Sequence, residues 1–91
     1  MSEEKSRVLL DNHRARVLEL RLTPGEGEPM HSHPDYLVYV LSPATMLMTA
    51  ADGSTKVVEL GAGQASFGAA TMHSGQNIGE TVLHELIIEL K

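Results

Sequence analysis

No window of about eleven residues in this chain carries apolar side chains at helical spacing without an interrupting Gly or Pro. That excludes a helical core and leaves alternation, the period of a strand, as the ordering signal. From Arg16 to Thr23, Leu18, Leu20 and Leu22 alternate with Glu19, Arg21 and Thr23, which predicts a half-buried strand. Tyr36 to Leu41 (YLVYVL) is a nearly continuous apolar run, suited to a strand covered on both faces. Met46 to Ala50 and Thr55 to Leu60 flank Ala51-Asp52-Gly53-Ser54, and Asp-Gly between two apolar runs predicts a hairpin. Gly61-Ala62-Gly63 marks a turn, Gln64 to Phe67 a short strand and Thr71 to Ile78 another, after which Gly79-Glu80 turns into a last strand from Thr81 to Leu90. In that last strand Val82, His84, Leu86, Ile88 and Leu90 share one face, opposite Leu83, Glu85, Ile87 and Glu89. The first face is the more apolar and is assigned to the core. About seven to nine short strands with regular turn signals predict an all-β fold, a single antiparallel β-barrel or jelly roll.

At 91 residues the expectation is one domain, residues 8–91, preceded by residues 1–7 as a frayed arm or one that adds to a partner's sheet edge. Hydrophobic residues make up 42% and charged residues 21%, the balance of a folding chain. One Phe, two Tyr and no Trp leave the core to aliphatic side chains and five Met, which pack softly. Twelve acids against seven bases, net −5, oppose a nucleic-acid partner. The absence of Cys excludes disulfides, thiolate zinc sites and thiol catalysis. MSEEKSR has no apolar signal core, and no apolar run approaches the roughly twenty residues of a spanning helix, so no membrane is expected and the cytoplasm is.

Chemistry then falls to five histidines. His31 and His33 lie two apart, and on an extended chain such residues project to the same face, so both imidazoles reach one metal ion. His73, in His73-Ser74-Gly75-Gln76-Asn77, falls on another predicted strand.

In these residues the chain resembles the cupin superfamily. Gly25, His31 and His33 match the spacing of its first motif, and Gly63, His73 and Asn77 match its second in type, with the His-to-Asn spacing right. Where the family places its metal-binding Glu this chain has Leu37 or Val38. Ser42-Pro43-Ala44 fills the turn where the first motif ends in Gly. Gly63 to His73 is one residue short, and Gly68, Ala69 and Ala70 stand where Pro and Gly are expected. The resemblance implies a small barrel, commonly a homodimer, with His31, His33 and His73 around a metal and without the carboxylate.

Three neutral imidazoles with open positions suit zinc, nickel, iron or copper and serve magnesium and calcium poorly. The open alternative is that no metal binds, with His31 and His33 as solvated strand-end residues and His73 as a satisfied polar side chain. Asp35 shares the parity of His31 and His33 and is a candidate substitute ligand or partner to one. Tyr39, Gln64, Asn77 and His84 are further pocket candidates, with core packing the competing role for Tyr39 and His84. Met46 and Met48 read as core or as a flexible pocket wall, and Phe67 as core. The other acids, Glu85 and Glu89 included, read as solvated, leaving Asp35 and Glu28 as the acids close to the histidines. Two functions follow: a module binding or sensing a small molecule, slightly favoured for want of a strong acid–base pair, and a metal-dependent dioxygenase or isomerase. No Ser lies on a nucleophile elbow, which opposes a hydrolase.

Overall fold

The computed structural model describes residues 5–91. Its regular elements are nine strands: β1 (Ser6–Asp11), β2 (Ala15–Leu22), β3 (Gly27–His33), β4 (Tyr36–Ser42), β5 (Ala44–Ala50), β6 (Thr55–Leu60), β7 (Ala65–Gly68), β8 (Thr71–Asn77) and β9 (Leu83–Leu90). They form two antiparallel sheets, ordered β1-β2-β9-β4-β7 and β3-β8-β5-β6, so the chain is the all-β jelly roll its alternation predicts. The Asp-Gly hairpin joins β5 to β6. Asp52 Oδ1 accepts from the Ser54 amide at 2.9 Å, and Gly53 takes a φ of 89°, a conformation that a side chain would strain.

Two strands escape sequence reading for physical reasons. In β1 a bulge between Val8 and Leu10 breaks the alternation, and all six residues are exposed. In β3 the register shifts between Glu28 and His31, which is where Pro29 is tolerated although it cannot donate to a ladder. Of the expected N-terminal arm, residues 1–4 lie outside the described residues. In residues 5–7, Arg21 N donates to Lys5 O at 2.8 Å, and Ser6 and Arg7 pair with Leu20 and Glu19.

The core lies between the sheets, where Leu20, Leu22, Ala44, Met46, Leu83 and Ile87 are buried and Leu18, Tyr36, Val38, Met48 and Leu60 pack against them. The expected facing of β9 is reversed. Leu83, Glu85, Ile87 and Glu89 are buried, whereas His84, Leu86 and Ile88 are half-buried and Leu90 exposed. Register decides this, because β9 pairs Leu83 with Leu22, Glu85 with Leu20 and Ile87 with Leu18, and directly paired residues share a face. The inward face therefore carries two carboxyl groups, and burying them is tolerable only where they have partners or a polar cavity.

Candidate metal centre

Strand β3 supplies His31 and His33, and β8 supplies His73 directly across from His31. The three rings converge, with centroids 4.6 Å (His31–His33), 4.8 Å (His31–His73) and 5.1 Å (His33–His73) apart. One nitrogen from each lies within 4.8 Å of the others. Tyr36, at the start of β4, sets its ring 4.8 Å from that of His33. It lies across Gly68, where an added Cβ would come 2.3 Å from Tyr36 Cζ, so the tyrosine's place depends on the missing side chain.

Hydrogen bonds orient two of the rings. His31 Nδ1 is 2.7 Å from the Pro29 carbonyl, which can only accept, so Nδ1 carries a proton and donates it there. His33 Nδ1 stands in the same relation to Glu89 Oε2, at 2.7 Å, and Arg16 Nε donates to the other oxygen of that carboxylate at 2.9 Å. Burial pushes Glu89 up, but the hydrogen bonds from His33 and Arg16 outweigh it and hold the carboxyl below its ordinary value. Burial of the His73 ring, reinforced by His31 and His33 beside it, lowers its pKa to about 4, so it is neutral at physiological pH.

Three imidazole nitrogens, two with their second ring nitrogen already held, are the donor set of a borderline divalent metal. Bonds of about 2.1 Å at the tetrahedral angle put donors about 3.4 Å apart, so rotation of the rings has to bring the widest possible pair about 1.4 Å closer to share one ion. Zinc, nickel, iron or copper fits this set, which holds no carboxylate for a harder ion.

The three rings border a cavity of about 140 Å³ whose walls include Leu20, Val38, Met46, Met48, Leu60 and Ile87, together with Tyr36, Glu28 and Glu85. It shares Tyr36, Met48, Val58, Ser66 and His73 with a wider, open vestibule of about 630 Å³. Met46 and Met48 are thus core and pocket wall at once. Glu85 is 7% exposed and lies on the wall of this cavity. Burial, with Glu28 adding its charge, raises it to about 7.

The remaining candidates stand elsewhere. Asp35 is exposed on the rim, where Oδ1 accepts from Ala70 N at 2.8 Å, because the bend at Pro34-Asp35 ends the parity that began at His31. The same bend turns Tyr39 outward, 42% exposed, and turns Tyr36 in. Gln64 accepts from Gly61 N at 3.0 Å within the turn before β7. Asn77, fully buried, donates to the Leu22 and Thr81 carbonyls and accepts from Gly79 N, tying loops at the far end of β8. His84 lies on the outer face, 2.8 Å from Glu19 Oε2, and Phe67, expected in the core, is 61% exposed on the edge strand β7. The acids beside the histidines are the expected Glu28, with Glu85 on the same cavity wall and Glu89 against His33, and the reversed facing of β9 had hidden the last two. The signal that finds them is the parity of Leu18, Leu20 and Leu22 carried across the pairing of β2 with β9.

No known family profile and no curated protein matches the sequence. Solved structures do. A cupin domain from Bordetella pertussis Tohama I superposes with a TM-score of 0.86 at 27% identity, over 94% of this chain and 91% of that one. An uncharacterized conserved protein with a double-stranded β-helix domain from Klebsiella pneumoniae subsp. pneumoniae MGH 78578 gives 0.76 at 18% identity, over 99% and 80%. The DMSP lyase DddQ from Ruegeria pomeroyi DSS-3 gives 0.73 at 17%, over 94% of this chain and 46% of that one. Fold and histidine cluster thus define a class, small β-jelly rolls with a potential metal pocket between their sheets. This chain is a small cupin-type protein. No helix among the described residues is long and apolar enough to cross a membrane.

Proposed function

We propose that this protein holds a divalent transition metal (zinc, nickel, iron or copper) on His31, His33 and His73 and binds a small molecule in the cavity beside it. The carrying observation is the convergence of three imidazole nitrogens within 4.8 Å, with Nδ1 of two rings already engaged. The metal would supply a Lewis acid with open positions for a coordinating ligand. The chain's own groups hold the rings, line the cavity with apolar surface and present the Tyr36 hydroxyl. Burial, with the Glu85 charge, raises the Tyr36 pKa and keeps it a proton donor. The test is metal content after purification without an affinity tag. Near-stoichiometric metal in the parent and its loss in His31→Ala and His73→Ala support the site. Traces of metal unchanged by either substitution refute it.

A second reading, a metal-dependent enzyme of dioxygenase or isomerase type, is favoured by Glu85, an acid–base group that titrates near neutrality in the same cavity. A lyase, the DMSP lyase above, shares the fold. Oxygen consumption by the metal-loaded protein with a panel of thiols and diketones separates enzyme from binder. The proposal also includes a homodimer, supported by the apolar outer face of the five-stranded sheet.

A further inference from the structure

In β6, Lys56 pairs with Met48, Val58 with Met46 and Leu60 with Ala44, so these three residues share the inward face of the four-stranded sheet. Val57, 59% exposed, and Glu59, which accepts from Thr45 Oγ1 at 3.0 Å, take the outward face. An inward lysine has to keep its ammonium in water, and Lys56 does so at the mouth of the barrel, where it borders the vestibule of about 630 Å³. No other Lys or Arg and no Asp or Glu lines that space, whereas Ser54, Thr55, Ser66 and Thr71 bring hydroxyls to it. Among the described residues Lys56 joins no ion pair. It also lies on the same inner surface as the histidines. Gly75, Met48 and Lys56 are successive register partners across β8, β5 and β6, and His73 stands two residues from Gly75 on β8. Two strand spacings of about 4.8 Å and a two-residue step of about 6.8 Å put the Lys56 and His73 Cα atoms on the order of 12 Å apart. Met48 and Val58 border both the vestibule and the inner cavity, which makes the path between the two apolar.

We infer that Lys56 anchors the anionic end of a small organic acid whose opposite end supplies a donor atom to the metal on His31, His33 and His73, with its apolar middle on Met48 and Val58. This rests on the reading that the metal site and its cavity bind a small molecule. A lone lysine offsets one negative charge, which matches a carboxylate better than a doubly charged phosphate. Glu28 and Glu85 lie deeper, on the wall of the inner cavity, and keep the free anionic end at the mouth. A divalent metal brings two positive charges that three imidazoles do not offset, so a carboxylate donor is accepted at that end even with two glutamates on the wall. In a chain of net charge −5, Lys56 also gives the entrance a local positive charge that draws anions to it.

The experiment titrates zinc-loaded full-length protein by calorimetry at neutral pH with succinate, glutarate, adipate and pimelate, each beside its monomethyl ester. The best length reads the gap between the Lys56 ammonium and the metal. Two identical ends alone favour a diacid about twofold, and an exposed ion pair adds about fivefold, so at that length the diacid is expected to bind about tenfold more tightly than its ester. Lys56→Gln should reduce the ratio to about twofold with ester affinity and zinc content unchanged, and Lys56→Arg should retain most of it. Arg7→Gln, which removes the same charge from the other sheet, should leave the ratio at its parent value. A ratio of about twofold at every length, or one that Lys56→Gln leaves intact, overturns the anchoring role and leaves the small-molecule reading standing. Undiminished diacid affinity in zinc-free protein overturns the inference too, because the far end then has no metal contact. Failure of every diacid and ester to bind also overturns it, and zinc content measured on the same samples tells whether the metal site falls with it.

Discussion

A single carboxylate, Glu89, ties the histidine cluster to the rest of the barrel. It accepts from His33 Nδ1 at 2.7 Å and from Arg16 Nε at 2.9 Å, and its side chain is 7% exposed. The pair is buried, so removing the charge leaves two donors facing one neutral acceptor. His33 then loses the contact that fixes its tautomer and aims Nε2 at the other rings. Glu89→Gln is expected to weaken zinc binding by about 10-fold to 100-fold, as loss of such an outer partner does elsewhere, with little change in far-ultraviolet circular dichroism. Zinc competition against a chromophoric chelator measures it, and an unchanged affinity would show that His33 is held by packing alone. Because Glu89 titrates below its ordinary range, its contribution to folding is present above that range and is lost as pH falls through the lowered value.

At the scale of the element, β9 concentrates what the sequence displayed and what it concealed. Its alternation is plain, but alternation only sorts residues into two faces. Both faces of β9 are largely apolar, so composition pointed to the one without glutamates. The pairing with β2 decides for the other, and the barrel accepts Glu85 because a cavity lies over it. That acceptance has a pH signature. Folding raises Glu85 from an ordinary 4.5 to about 7, so the folded state keeps a proton that the unfolded chain releases between those values. Stability therefore falls as pH rises through this window, by about 3 kcal/mol when the loss is complete. In metal-free protein, Glu85→Gln should exceed the parent by about 2–3 kcal/mol at pH 8 and match it near pH 4 by urea denaturation. A gap that does not change with pH would mean that the carboxyl is solvated. The paired histidines, the Asp-Gly hairpin and the alternating β2 were legible because each is a local pattern. Strand β3 was obscured by Pro29 and its bulge, and the parity of Asp35 and Tyr39 failed because the bend at Pro34 resets it. Which residues meet from opposite sheets depends on register, and no local pattern encodes that.

For the molecule as a whole, the reversed β9 leaves a surface to be explained. Leu10, Val17, Ile88, Leu37 and Phe67 are successive register partners across β1, β2, β9, β4 and β7, so they form one continuous apolar row on the outer face of that sheet. Leu86 and Tyr39 pair in the next row. Leu10 is 51%, Leu37 42% and Phe67 61% exposed, more than a lone chain in water favours in one place. Five strands at about 4.8 Å and a length of about eight residues span on the order of 25 Å by 25 Å, roughly 600 Å² before side-chain relief. That approaches the about 800 Å² per partner of a standard stable interface. A second copy related by a two-fold axis presents the same row to itself, and the charged group of Arg7, Glu19, Arg21 and His84 beside it carries both signs, so self-association meets no single-sign repulsion. The parent protein should therefore sediment as a dimer at tens of micromolar, and the double variant Leu37→Glu, Phe67→Glu as a folded monomer. The histidine cluster is formed between the sheets, on the other side of the five-stranded sheet from this row. The monomeric variant should consequently keep its zinc, and a parent that sediments as a monomer would remove the support for pairing through this face.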